Sequence, residues 1–90
     1  MPNQVLSIIN KRGLHARAAT KLAKLASLFN CEVHIRLLEG TWVDAKSVMN
    51  LMLMAASMGT QIEVRTQGLD AETALKEITA LIENYFDEGE

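Results

Sequence analysis

The sequence contains a single cysteine, Cys31, and therefore cannot form an internal disulfide. Its cysteine and histidines do not have the spacing of a metal site, so we expect neither a metal nor another cofactor. The longest apolar run, Leu51 to Ala56, is far shorter than the roughly 18 residues that a membrane-spanning helix requires. The first residues lack the basic stretch and apolar core of a signal peptide. The sequence therefore predicts a cytoplasmic protein without a membrane segment.

Aromatic residues are also few, with one Trp, one Tyr and two Phe. Because the chain has no long basic stripe either, it does not favour a surface for nucleic acid. Residues 1–46 contain seven Lys or Arg and three Asp or Glu, whereas residues 47–90 contain two and eight. Five of the basic residues lie close together: Lys11, Arg12, Arg17, Lys21 and Lys24. This basic segment, residues 11–24, favours an acidic protein partner or a phosphate group.

The length of 90 residues predicts one domain, residues 1–90. Apolar residues alternate in some segments and recur with a helical period in others. The pattern predicts strands at 4–10, 31–37, 41–43 and 61–66, and helices at 16–29, at 47–58 and from Asp70, as its N-cap, to about Tyr85. The strands have one polar face, which is typical of antiparallel sheets. We therefore expect an α+β two-layer open-faced sandwich, with three helices on one face of a four-stranded antiparallel sheet. The acidic end after Tyr85 is expected to fray.

A histidine stands where the first helix is predicted to begin. No Ser, Thr, Asp or Asn occupies the expected capping position, so the backbone N–H groups of Ala16, Arg17 and Ala18 lack an obvious acceptor. Free amides at a helix N-terminus bind anions. His15 adds a nitrogen nucleophile, Arg17 adds a planar cation that matches phosphate oxygens, and Gly13 permits a sharp turn ahead of them. The combination is suited to a transient phosphohistidine, with His15 as acceptor and Arg17 as phosphate clamp.

These residues taken alone leave a simpler interpretation open, in which His15 only begins a helix and Arg17 is solvated. The wider sequence favours the first interpretation. Gly13-Leu14-His15-Ala16-Arg17 resembles the active-site stretch of HPr, the histidine phosphocarrier family of the bacterial sugar phosphotransferase system. Lys46-Ser47-Val48-Met49, followed by Leu51-Met52, resembles the family's second signature at the start of helix two. The order of segments and the positions of both motifs agree over essentially the whole chain.

The resemblance implies that His15 accepts a phosphoryl group from enzyme I, at the ring nitrogen nearer the backbone, and passes it to an enzyme IIA domain. Arg17 matches the family's phosphate-binding arginine. The chain departs from the usual family sequence at Ala18, where a proline is expected, and so gains one backbone donor in the first helical turn. This is more similar to NPr, the nitrogen-branch paralogue, which pairs with its own enzyme I and enzyme IIA homologues. The resemblance also implies a monomeric carrier and not a turnover enzyme.

Ser47 opens the second predicted helix, where it or Asp44 provides the N-cap. By resemblance, Ser47 matches the serine that HPr kinase phosphorylates in some bacteria. Added phosphate would place about −1.5 to −2 charges near the docking surface. This leaves an alternative function open, a regulatory docking protein of the same fold that is controlled at Ser47 and transfers no phosphate. A third class, a domain that binds small molecules or RNA, is disfavoured because a glycine-rich phosphate loop and stacking aromatics are missing.

The second predicted helix is apolar almost all round, although a two-layer fold buries only one face of a helix. We expect Leu51 and Met54 to face the core. Val48, Met49 and Met52 are predicted to form an exposed docking patch beside His15, because methionine adapts to several partners. The other interpretation is that this helix is simply more buried than a two-layer fold implies.

Overall fold

A computed structural model describes residues 2–88 of the chain. It contains four strands, β1 (Asn3–Ser7), β2 (Cys31–Leu37), β3 (Val43–Asp44) and β4 (Gln61–Gly68), and three helices, α1 (Ala16–Ser27), α2 (Val48–Met54) and α3 (Ala71–Glu83). A short 3-10 turn, Tyr85–Asp87, follows α3. The sheet order is β1-β4-β2-β3, and all neighbouring strands are antiparallel. The predicted α+β sandwich is confirmed.

The core lies between the helices and one face of the sheet. Alternate residues of the strands are buried, among them Leu6, Ile35 and Val64, and these last two are directly paired across β2 and β4. Helix α1 contributes a buried face that includes the small residues Ala18 and Ala19, and it packs against α2 and α3. This placement fixes α1, and with it the position of its N-terminus.

Helix α2 ends earlier than predicted, at Met54 and not at residue 58. Ala55 adopts a left-handed conformation, with φ 53° and ψ 38°, and its N–H donates to the carbonyl of Met52. The chain then turns so that the carbonyl of Ala56 accepts a hydrogen bond of 2.8 Å from the N–H of Leu14. A contact with a loop that is distant in sequence thus accompanies the end of α2. The mostly apolar sequence of residues 55–58 continues after the helix has ended.

The other boundaries shift by a few residues. β4 continues to Gly68, because Gly68 still pairs with Cys31 of β2. Helix α3 begins after Asp70, as predicted, but the Asp70 carboxylate does not cap it. One oxygen of that carboxylate accepts a 2.7 Å hydrogen bond from the N–H of Asn30 instead, so Asp70 ties α3 to the loop that precedes β2.

The prediction that the chain frays after Tyr85 is wrong for residues 86–88, and residues 89–90 lie outside the described residues. Phe86 is fully buried, and Lys21 on α1 donates a 2.8 Å hydrogen bond to its carbonyl. Burial of a phenylalanine contributes about 1.5–3 kcal/mol. Phe86 therefore anchors the end of the described chain beside α1.

The loop ahead of α1 depends on Gly13. Its φ is +64°, and a Cβ at this position would lie 2.4 Å from the carbonyl oxygen of Ala56 and 2.8 Å from Cα of Ser57. The buried side chain of Asn10 closes the turn, because its Nδ2 donates to the carbonyl of Gly13 at 2.8 Å. The predicted sharp turn at Gly13 is confirmed, and close backbone packing is a second reason for glycine there.

Ser47 provides the N-cap of α2, as predicted. Its Oγ accepts a hydrogen bond of 3.2 Å from the N–H of Asn50. The competing candidate, Asp44, accepts from the N–H of Lys46 and does not cap the helix.

We expect Gly13→Ala to lower the free energy of unfolding more than Gly59→Ala does. Gly59 also has a positive φ, +91°, but nothing lies within 4 Å of a Cβ there, so alanine adds only conformational strain of about 1–2 kcal/mol. Gly13→Ala adds the clash with Ala56 to a similar strain. Urea unfolding of both variants measures the difference, and equal destabilisation would contradict the importance of the close approach.

We expect Ser47→Ala to lower the free energy of unfolding by about 1 kcal/mol, because the amide of Asn50 loses its acceptor. Ser47→Asp should retain most of the stability, since aspartate caps helices as well as serine does. Ser7→Ala, at an exposed strand position, is the matched control. Denaturation midpoints that fall equally for Ser47→Ala and Ser7→Ala would show that the cap contributes nothing.

Candidate functional site

His15 is the N-cap residue of α1. Its backbone is extended, with φ −77° and ψ 178°, and its carbonyl accepts the first helical hydrogen bond, from the N–H of Ala19 at 2.8 Å. Nδ1 of the imidazole accepts a hydrogen bond of 3.3 Å from the N–H of Arg17. The expectation that no side chain caps this helix is therefore wrong, because the histidine ring itself takes that place.

The cap leaves part of the helix N-terminus open. Within residues 2–88, the N–H groups of Ala16 and Ala18 have no hydrogen-bond acceptor. The contact from Arg17 to Nδ1 is long for an N–H donor and is correspondingly weak. Two free amides thus lie at the positive end of the α1 dipole, together with the weakly held amide of Arg17 that contacts Nδ1.

The opposite side of the ring contacts a residue that the sequence analysis missed. Nε2 of His15 lies 2.7 Å from Oε1 of Glu88, a residue 73 positions further along the chain. The side chains of His15 and Glu88 are 21% and 13% exposed, so the pair lies at the surface but is partly screened from water. The sequence shows that the last residues are acidic, but it does not show that one of them contacts His15.

The second oxygen of Glu88 lies close to two cations. Oε2 is 3.8 Å from Nε of Arg17 and 3.9 Å from Nζ of Lys21. These distances allow electrostatic attraction but exceed those of hydrogen bonds. The Arg17 side chain is 71% exposed, so its guanidinium remains accessible from solvent. Part of the basic segment is therefore neutralised by the chain's own C-terminal region.

The two contacts of the imidazole fit one neutral form of the ring. Nδ1 accepts a hydrogen bond from an amide, and this requires a lone pair on Nδ1. Nε2 then carries the proton and donates to the carboxylate of Glu88. In this tautomer the nucleophilic lone pair points at the helix N-terminus.

The hydrogen bond from His15 holds the pKa of Glu88 below its ordinary value of 4.5. Partial desolvation opposes this shift, and the charges of His15, Lys21 and Arg17 support it. A pKa that is lower in the folded chain than in the unfolded chain means that the carboxylate contributes stability above the ordinary pKa. That contribution is lost as the pH falls from about 4.5 through the lower folded value.

Two of the three residues predicted to form an exposed docking patch are exposed. Met49 and Met52 are 65% and 43% exposed, whereas Val48 is half-buried and packs against the core. Two further apolar residues, Leu53 and Met58, are 75% and 58% exposed. We call Met49, Met52, Leu53 and Met58 the apolar patch.

Burial on the other face of α2 follows the prediction. Leu51 is fully buried and Met54 is half-buried. Because Met49 and Met52 remain exposed, the interpretation of a helix more buried than a two-layer fold implies is wrong. Helix α2 packs against α1, and the hydrogen bond between Leu14 and Ala56 joins the end of α2 to the loop that carries His15. The apolar patch therefore lies on α2 and on the segment just after it, next to the loop that carries His15.

Among residues 2–88, no group of three or more His, Cys, Asp or Glu side chains could hold a metal ion. None of the helices in this part of the chain is both long and apolar enough to cross a membrane.

Comparison with known proteins shows the family to which the chain is similar. The family profile described as "PTS HPr component phosphorylation site" matches residues 3–84. The chain is 44% identical over 90 residues to phosphocarrier protein HPr of Pseudomonas putida, with 100% of both chains covered. It is 44% identical over 85 residues to phosphocarrier protein NPr of Escherichia coli, with 94% of both covered. A crystal structure of HPr-C-His from Thermoanaerobacter tengcongensis matches with a TM-score of 0.92 and 35% identity, covering 98% of both chains. The chain therefore belongs to the HPr family of phosphocarrier proteins.

Proposed function

We propose that this chain accepts a phosphoryl group on Nδ1 of His15 from enzyme I, or from its nitrogen-branch homologue, and passes it to an enzyme IIA domain. The observation that carries the proposal is the position of Nδ1, which faces the N-terminus of α1 beside the free amides of Ala16 and Ala18. Membership of the phosphocarrier family supports the same assignment.

In the transfer step, the lone pair of Nδ1 forms the bond to phosphorus. The bond between phosphorus and the donor breaks, and its electron pair stays on the donor. The amide of Arg17 loses its contact with Nδ1 and becomes available to a phosphoryl oxygen, as the amides of Ala16 and Ala18 already are. Three adjacent donors can therefore hold the three negatively charged oxygens without a large rearrangement.

Positive charge from two side chains adds to these amides. The exposed guanidinium of Arg17 is free to turn toward phosphoryl oxygens, and Lys21 lies one turn further along α1. Since phosphoryl transfer depends mainly on positioning and charge stabilisation, these groups suffice for a carrier whose partner proteins complete the transition state. Ala18, where the family usually has proline, contributes one amide more than the usual sequence.

The surroundings of His15 suit a protein partner better than a small substrate. A cleft of about 690 Å³ lies between α1 and α3, and its lining does not include His15. The apolar patch on α2 and just after it offers adaptable side chains to a docking protein. We therefore propose a single-domain, cytoplasmic, monomeric carrier that turns over no substrate of its own. A monomer is not the form of every relative, since one HPr from T. tengcongensis has been solved as a dimer.

Phosphorylation of Ser47 by an HPr kinase is a second candidate activity. Ser47 begins α2, the helix that carries Met49 and Met52, so a phosphate there would lie beside the apolar patch. The added charge would oppose docking of an acidic partner. In the alternative function, the chain is a regulatory protein that docks through the apolar patch. Phosphate on Ser47 would then control its docking, and His15 would have no role.

We expect His15→Asn to abolish phosphate acceptance while the chain stays folded. Asparagine can cap α1 as the imidazole does, but it cannot act as the nucleophile. Acid-labile phosphate is measured after incubation with phosphoenolpyruvate and each enzyme I homologue in parallel. His34→Asn, on strand β2, is the control for the other histidine. Phosphate that persists in His15→Asn would contradict the assignment, as would its absence from the unaltered chain with every donor.

We expect Arg17→Ala to slow phosphoryl transfer about tenfold while it weakens docking of enzyme I much less. A tenfold loss corresponds to about 1.4 kcal/mol, which is typical for the removal of a charge-assisted contact. Separate measurement of kcat and KM distinguishes slower transfer, which lowers kcat, from weaker docking, which raises KM. Arg12→Ala, an exposed cation in the same basic segment, is the matched control. If both variants raised KM equally and left kcat unchanged, Arg17 would be a docking residue.

A further inference from the structure

We propose that Glu88 is a positioning residue for His15: its carboxylate holds the proton on Nε2, so that Nδ1 presents its lone pair to the phosphoryl donor. This inference rests on the proposed function of His15. It adds a role for a residue near the end of the chain.

The geometry leaves one neutral tautomer satisfied. With the proton on Nε2, the ring donates to Glu88 at 2.7 Å and accepts from the N–H of Arg17 at 3.3 Å. With the proton on Nδ1, a donor would face another donor at Arg17, and an unprotonated nitrogen would face a carboxylate. Both contacts therefore select the nucleophilic form, and the shorter one involves the charged partner.

The chain before Glu88 is held in a costly conformation. Tyr85, Phe86 and Asp87 all have positive φ values, of 57°, 51° and 62°, although none is a glycine. Left-handed backbone is unfavourable for these residues, because it brings Cβ too close to the following carbonyl oxygen. The burial of Phe86, the bond from Lys21 to its carbonyl and the bond from Asn84 to Asp87 offset this cost. The result is a turn that directs Glu88 back onto His15.

Glu88 stabilises the ring through the whole transfer without giving up or taking a proton. When Nδ1 bonds to phosphorus, the ring gains positive charge, and the carboxylate at Nε2 stabilises that charge. Nε2 keeps its proton before, during and after the transfer, so the ring is ready again once the phosphoryl group leaves. Because Glu88 contacts the far side of the ring, it leaves Nδ1 accessible.

The opposite role for Glu88 is competition. Its Oε2 is buried without a hydrogen-bond partner in the described chain and lies near Arg17 and Lys21, where a phosphoryl oxygen could also be attracted. As a competitor, Glu88 would occupy the cations and slow phosphate acceptance. The two roles predict changes of opposite sign when the carboxylate is removed.

The test compares Glu88→Ala, Glu88→Gln and the control Glu83→Ala, which removes an exposed carboxylate near the same end of the chain. Nitrogen-15 NMR of the unphosphorylated full-length chain shows which ring nitrogen of His15 carries the proton and also reports whether each variant is folded. We expect Glu88→Ala to increase the share of the Nδ1-protonated tautomer. Glu88→Gln should retain the unaltered distribution, since its amide oxygen still accepts from Nε2. Glu83→Ala should behave as the unaltered chain.

The same variants are then phosphorylated by enzyme I with phosphoenolpyruvate. We expect Glu88→Ala to lower kcat about tenfold with little change in KM, since loss of a residue that orients a reacting imidazole costs at least this much. Glu88→Gln should recover most of the rate. An unchanged tautomer distribution in Glu88→Ala, or faster phosphorylation, would overturn the positioning role. If the NMR change occurs but no variant, nor the unaltered chain, takes up phosphate, the proposed function fails while the tautomer contact stands.

Discussion

The hydrogen bond between Nδ1 of His15 and the amide of Arg17 organises the site, because one atom both caps the helix and is the proposed nucleophile. An ordinary cap, such as serine, would satisfy the amides and leave a nearby histidine free to rotate. Here the ring is oriented by the helix that it begins. The contact is also long and therefore weak, so little free energy is lost when a phosphoryl group takes the place of the cap and gains the amide.

This arrangement requires three distant segments to meet. The loop at Gly13 lies against the backbone of Ala56, and the hydrogen bond from Leu14 holds it there. Helix α1 is held by its packing against α2 and α3. The turn at residues 85–87 contacts both α1 and α3, and delivers a carboxylate to the other side of the ring. A change in any of these contacts would move the imidazole relative to the amides that are proposed to receive phosphate.

The charge distribution has a related consequence. The excess of basic residues in the first half of the chain suggested an external acidic partner or a phosphate group, yet one carboxylate from the acidic half already lies near both Arg17 and Lys21. Since neither cation is within hydrogen-bond distance of Glu88, both retain the capacity to bind another anion. Glu88 thus reduces the positive charge of the basic segment but does not prevent the segment from binding an anion. Its other members, Arg12 among them, remain exposed for an acidic protein surface.

Local patterns determined a large part of this protein. The strand alternation, the helical face of α1, the cap at Ser47 and the pairing of His15 with Arg17 all follow from residues within a few positions of one another. Such contacts depend on backbone geometry that repeats with every turn or every second residue. The fold class could be predicted for the same reason, since few packings bury all these faces at once.

Tertiary structure alone decided the rest. Helix α2 ends at Met54 because its next carbonyls meet a loop 42 positions earlier, as the bond from Leu14 to Ala56 demonstrates. The carboxylate of Asp70 bonds Asn30 and not its own helix, although its sequence position is that of a cap. Glu88 reaches His15 across 73 positions because the burial of Phe86 draws the chain's end to α1. The residue pattern of the sequence does not predict these contacts, since each depends on where whole elements lie after the core has packed.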